Sequence, residues 1–167
     1  MAILQRSILG LCLAFSAIAH AQSGFHAQDT LPRVAKPHVN FVTLRVADFD
    51  RAFAFYSRAL GMRERGRAMP NADLFEVVMG FDTAPASGGI SLTYHKGEVV
   101  TRGNGSSSVN LVVRNLAAIL SRVPANGGQI TTPLVHGKTA KAEYSLARVT
   151  DPDGNALELV EYHRITR

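Results

Sequence analysis

Arg45 and Glu158 sit in alternating apolar stretches, each pointing away from its apolar stripe. A guanidinium fork suits a carboxylate or phosphate on a ligand. A partly buried glutamate can have its pKa raised toward neutrality and serve as a general base or a ligand anchor. The bland alternative is a structural pair of Arg45 with Glu158, or Glu158 held by the hydroxyls of Ser91 and Ser108. The same alternation adds Phe41 and Thr43 to the side of Arg45, then Ser91, Thr93 and His95, then Ser108 and Asn110, and finally Tyr162 beside Glu158. Asn110 and Tyr162 are candidate ligand contacts. Phe41 could stack on a planar ligand or simply fill space, and His95 is either a site group or a solvated strand end. His38, His136 and His163 fall out of phase or in loops. Cys12 is the single cysteine and lies near the N-terminus, so the rest of the chain offers no thiol for a disulfide, a metal or a covalent step.

The elements that position these residues follow from periodicity and punctuation. Phe41 to Val46 alternates as a half-buried strand, with Val42, Leu44 and Val46 on the apolar side. Asp48 is placed to cap a helix running to about Leu60, with Ala52, Phe55, Ala59 and Leu60 on one side and Gly61 at its end. Strands are expected near Met62–Arg67, Leu74–Gly80 and Gly88–Tyr94, a βαβββ order. The alternation of Arg63, Arg65 and Arg67 reads as the solvent face of one strand. Gly103-Asn104-Gly105-Ser106-Ser107 has no lysine and helix after it, so it reads as a linker and not a phosphate loop.

The order then repeats. Ser108 to Val113 alternates like the first strand, Asn115 stands where Asp48 stood as helix cap, and Pro124 limits the second helix. Strands are expected near Gln129–Thr132, Tyr144–Thr150 and Asn155–Tyr162, the last entered through the turn Asp151-Pro152-Asp153-Gly154. Val42 and Val109, Leu44 and Leu111, Ile90 and Leu157, Leu92 and Leu159 are each 67 residues apart. The expectation is an α+β fold of two βαβββ modules, whose curved sheets carry helices outside and pair around a cleft lined by the residues named first.

The paired βαβββ units, Leu44-Arg45-Val46-Ala47-Asp48, the helix ending Phe55-Tyr56-Ser57-Arg58-Ala59-Leu60-Gly61-Met62, and Asp151-Pro152-Asp153-Gly154-Asn155-Ala156-Leu157-Glu158-Leu159 resemble the vicinal oxygen chelate superfamily. That superfamily includes glyoxalase I, fosfomycin- and bleomycin-resistance proteins, epimerases and extradiol dioxygenases. The resemblance covers about residues 38–162. It implies a divalent metal held by one side chain from the first and last strand of each unit, in glyoxalase I typically His or Gln, Glu, His and Glu. Those positions fall here on Phe41, Ser91, Ser108 and Glu158, and only Glu158 keeps a usual ligand. The expectation is therefore no metal cofactor, as in the metal-free bleomycin-binding members, and binding of a small organic molecule. The alternative is a metal-dependent glyoxalase-type lyase or isomerase that uses Glu158, and a third reading is a vestigial cleft with a role in assembly. The resemblance also places Arg45 at an arginine that binds a carboxylate of glutathione, His95 near a glutathione-binding asparagine, and the chain in a homodimer, as many relatives are.

The whole chain has 167 residues, 46% hydrophobic and 19% charged, enough to bury a core. Arg6, the apolar run Ile8–Ala19 and Ala19-His20-Ala21 read as an export signal over residues 1–21, followed by an exposed leader over 22–37. Module one is then 38–97, the linker 98–107 and module two 108–162. The expected product is periplasmic or secreted, with no membrane span once the signal is removed. Its formal charge of +5 comes from scattered basic residues without interleaved aromatics, so no nucleic-acid partner is expected.

Overall fold

The computed structural model describes residues 38–71, 73–84, 87–101 and 108–163; the expected signal, the leader and the glycine-serine part of the linker lie outside them. Module one runs β1 (Phe41–Arg45), α1 (Phe49–Ala54) with a π-helical continuation over Phe55–Ala59, β2 (Arg63–Asn71), β3 (Leu74–Gly80) and β4 (Gly89–His95). Module two runs β5 (Ser108–Val112), α2 (Leu116–Arg122) with a 3₁₀ turn over Pro124–Asn126, β6 (Gln129–Lys138), β7 (Glu143–Thr150) and β8 (Ala156–His163). Each module forms one four-stranded sheet, ordered β1-β4-β3-β2 and β5-β8-β7-β6. The expected α+β class and paired βαβββ order are what the structure has.

The 67-residue repeat is a physical register. β1 pairs in parallel with β4 as Phe41 with Gly89, and β5 pairs with β8 as Ser108 with Ala156, both partners displaced by 67. The offset grows to 70 in β7. Val77 pairs with Leu92, whereas Ala147 pairs with Leu159, because the β7–β8 turn is three residues shorter than the β3–β4 loop.

Asp48 caps α1 as expected, its Oδ1 accepting the Arg51 N–H at 2.9 Å. Asn115 does not cap α2. It holds the N-cap position in the left-handed region (φ 56°) with no side-chain bond, and Glu161 from β8 accepts the N–H groups of Asn115 and Leu116 at 2.8 and 2.9 Å instead. The arginine alternation is likewise broken by a register shift between Glu64 and Gly66. Arg67 pairs with Glu64, while Arg65 donates to the carbonyls of Ser87 at 2.6 Å and Ala84 at 2.8 Å, fastening the loop before β4.

The helices lie on one face of each sheet, and one continuous core runs through both modules, from Val77, Met79, Ile90 and Leu92 through Phe55, Leu116 and Val123 to Val149, Leu157 and Leu159. The modules are fastened across their helices. The buried Tyr56 hydroxyl donates to Asp151 Oδ2 at 3.0 Å, Arg51 pairs with the buried Asp153 at 2.7 Å, and Arg122 donates to the Ala59 carbonyl at 3.0 and 3.1 Å. Asp151 also ties its own turn, accepting from the backbone of Asp153 and from Asn155. Burial raises the Asp151 carboxyl above its ordinary pKa, and burial followed by the Asp151 charge raises the Tyr56 hydroxyl well above its own.

Candidate functional site

The strand parity expected from sequence is correct: the face of each sheet opposite its helices carries the candidate residues. On the first sheet Arg45, Thr93, Glu76 and Ala68 stand in one transverse row, and Thr43, Ser91, Val78 and Gly66 in the next. Beyond them Phe41, opposite Gly89, lines a cavity of about 400 Å³ with Asn40, Arg65, Gly66 and Val78. Gly89 is required here, since a Cβ would fall 2.7 Å from the Met79 carbonyl oxygen and 3.4 Å from the Arg65 guanidinium.

On this face Arg45 is not the partner of Glu158. Its Nη1 bonds Glu98 Oε1, from the turn after β4, and His95 Nδ1 lies 3.6 Å from the other Glu98 oxygen. Arg45, Glu98 and His95 thus form one polar cluster at the end of β4, partly open to water. Thr43 is exposed and Thr93 half-buried. Ser91 is fully buried and gives its hydroxyl proton to Glu76 Oε1 at 2.6 Å, not to Glu158. Glu76 was not among the sequence candidates, although parity within β3 puts it on this face.

The second sheet has its own row, Asn110, Glu158 and Arg148. Arg148 donates to Glu158 Oε2 through Nε and Nη2, both at 2.9 Å, and Asn110 Nδ2 donates to Oε1 at 2.7 Å. Both oxygens of Glu158 are therefore engaged, which answers the sequence alternatives with a partner that was on neither side. Ser108 is exposed beside Ala156, and Tyr162 is 59% exposed with its ring 6.5 Å from that of Tyr144. His136 and His163, set aside as out of phase, do meet, but on the helix side: each places a ring nitrogen on the buried Ser145 hydroxyl, at 2.9 and 2.7 Å. Only the pairing of β6, β7 and β8 could have revealed this.

The four positions implied as metal ligands do not provide a divalent centre. Phe41 has no donor atom, the Ser91 hydroxyl is committed to Glu76, Ser108 is a neutral hydroxyl at an exposed strand start, and Glu158 is neutralised by Arg148. Each face taken by itself can hold polar groups of a small molecule. The first has a guanidinium shared with Glu98 and a carboxylate presented by Ser91, with Phe41 and Val78 as apolar neighbours, and the second has an Asn–Glu–Arg row with Val112 and Tyr162. The cleft expected between the two faces is not closed within one chain, where Val112 and Tyr162 stand open to water.

Comparison with known proteins gives the lineage. The lactoylglutathione lyase of Salmonella typhimurium is 35% identical over 123 residues, spanning 71% of this chain and 87% of that protein. The lactoylglutathione lyase of Haemophilus influenzae is 32% identical over the same shares. Among solved structures, glyoxalase I from Leishmania major shares the fold with a TM-score of 0.61 at 22% identity, over 75% of this chain and 87% of that one. A glyoxalase I variant from Zea mays reaches the same TM-score at 26% identity, over 72% of this chain and 44% of that one. The model of the Glyoxalase/Bleomycin resistance protein/Dioxygenase superfamily matches residues 38–159, the span of both modules, and the chain belongs to that superfamily.

Proposed function

We propose that this protein binds a small organic molecule bearing an anionic group, without a resident divalent metal, and that it does so after export. The observation that carries the reading is the state of Glu158. It is the single usual ligand at the four metal positions, and Arg148 and Asn110 occupy both of its oxygens. A metal at that point would have to displace an arginine and find three further donors where the chain has Phe41, Ser91 and Ser108. Arg45 is the group we assign to the anion, with Thr43, Thr93 and His95 beside it on one sheet and Ser108, Asn110 and Tyr162 on the other. Both faces are open to water, and Val112 and Tyr162 are 60% and 59% exposed. A homodimer that sets the first sheet of one copy against the second sheet of another would cover them and close the ligand in.

Elemental analysis of the protein purified without chelator tests this. The expected result is far less than one equivalent of zinc, nickel, iron or manganese, with no fall in melting temperature on adding EDTA. A stoichiometric metal lost together with stability overturns it. A lyase activity is the second reading, favoured by the 35% identity with the lactoylglutathione lyase of Salmonella typhimurium. Formation of S-lactoylglutathione from the hemithioacetal of methylglyoxal and glutathione, dependent on added metal, would establish that reading in place of the first. Export is tested by the mass of the extracytoplasmic product, expected to begin near Gln22.

A further inference from the structure

The six glutamates of the chain divide unevenly. Glu64, Glu98, Glu143 and Glu158 each pair with a cation, and Glu161 takes two backbone N–H groups at the start of α2. Glu76 is different: its hydrogen bond comes from a neutral hydroxyl, and among the described residues no lysine, arginine or histidine is paired with it. It stands half-buried in β3, an interior strand, between Leu74 and Val78 on the same face. Ser91 has no exposure to water, so its hydroxyl is fixed on Glu76 Oε1 and presents the carboxylate on the strand face. A partly desolvated carboxylate without a countercharge is an unfavourable arrangement that a cation arriving with a ligand relieves.

The register says what else that ligand carries. Glu76 is opposite Thr93, and Thr93 is opposite Arg45, so the three share one row with a hydroxyl in the middle. Two strand spacings separate the ends of the row, roughly 10 Å between Cα atoms, which long side chains shorten as they lean inward. An Arg with five N–H donors keeps some free even while Nη1 serves Glu98. We infer that Glu76 sets the specificity of this site for a zwitterion: a cationic group such as an ammonium faces Glu76, and a carboxylate of the same molecule faces Arg45 across Thr93. The inference rests on the small-molecule-binding reading above and names the charge pattern of the ligand.

Calorimetric titration with S-methylglutathione, which carries an ammonium and carboxylates, and with its N-acetyl derivative, which lacks the ammonium, tests it. Wild-type protein is expected to bind the ammonium form about tenfold or more tighter, about 1.4 kcal/mol. Glu76→Gln should remove that preference while still binding the acetylated compound, and Ser91→Ala, which frees the carboxylate from its presenting hydroxyl, should reduce it. The wild-type comparison decides the matter even if Glu76→Gln does not fold. Equal binding of the two compounds by the wild type overturns the zwitterion assignment and leaves anion binding standing. Binding of neither overturns both.

Discussion

Arg45 and Glu158 face the same way from their strands yet belong to separate charge groups. Arg45 is joined to Glu98 with both side chains partly in water, an arrangement worth little to folding, about 0–1 kcal/mol. Glu158 is more enclosed, its side chain 19% exposed, and it holds two donors. Arg148→Ala is therefore expected to destabilise by about 1 kcal/mol, discounted for the exposure of the guanidinium, and Arg45→Ala by less. Because the two clusters share no partner, the destabilisations of Arg45→Ala and Glu158→Gln should add within about 0.5 kcal/mol in the double mutant; denaturant melts that show strong coupling would contradict the separation. Parity made the faces legible in the sequence, but not the partners. Arg148 meets Glu158 only because the short Asp151–Asn155 turn sets the β7 register, and the repeat offset of 67 breaks there.

At the level of elements, most strands and the α1 cap were readable from alternation and from Asp48, while the start of α2 was not. The repeat places Asn115 opposite Asp48, but a left-handed backbone at Asn115 turns its side chain away from the helix N–H groups. The acceptor comes from β8, nearly fifty residues later, and no local pattern signals it. Glu161→Ala is expected to cost about 1 kcal/mol, the usual price of a lost cap. The two backbone bonds hold the Glu161 carboxyl below its ordinary pKa. Its contribution is thus fully present above the ordinary carboxylate value and is lost as pH falls through the lowered one. Acid titration of stability should show a shallower loss in Glu161→Gln than in the wild type. Asn115→Gly, at a φ that glycine adopts freely, should change stability little, whereas Asn115→Val should lower it.

For the whole molecule, the seam across the helices is the feature that joins the modules. Tyr56→Phe removes a buried hydrogen bond and leaves Asp151 Oδ2 with Asn155 alone, so a loss of about 1–3 kcal/mol is expected in thermal melts. Both modules should still melt in one transition, because the core is continuous through the seam. Burial raises the Asp151 pKa, so its contribution is fully present below the ordinary carboxylate value and is lost as pH rises through the raised one. Asp151→Asn should flatten that part of the stability profile. Gly128→Ala offers a second check at the same seam, since a Cβ there would sit 2.7 Å from the Thr150 carbonyl oxygen and collide with the Phe55 ring. The duplicated architecture was legible in the sequence because it repeats a spacing. The seam was not, since Tyr56 and Asp151 are 95 residues apart and neither is unusual where it stands.

The parallel pairing of β1 with β4 also fixes an order of assembly as the chain is extended from its N-terminus. The β2–β3 and β3–β4 ladders join neighbours in sequence, whereas Phe41 must wait for Gly89, and in the second half Ser108 for Ala156. Closing the longer loop is the slower event, and synthesis runs from the N-terminus. Each sheet is completed by the strand that was made first, and the nascent chain has to lengthen by 48 residues before that strand has a neighbour to join.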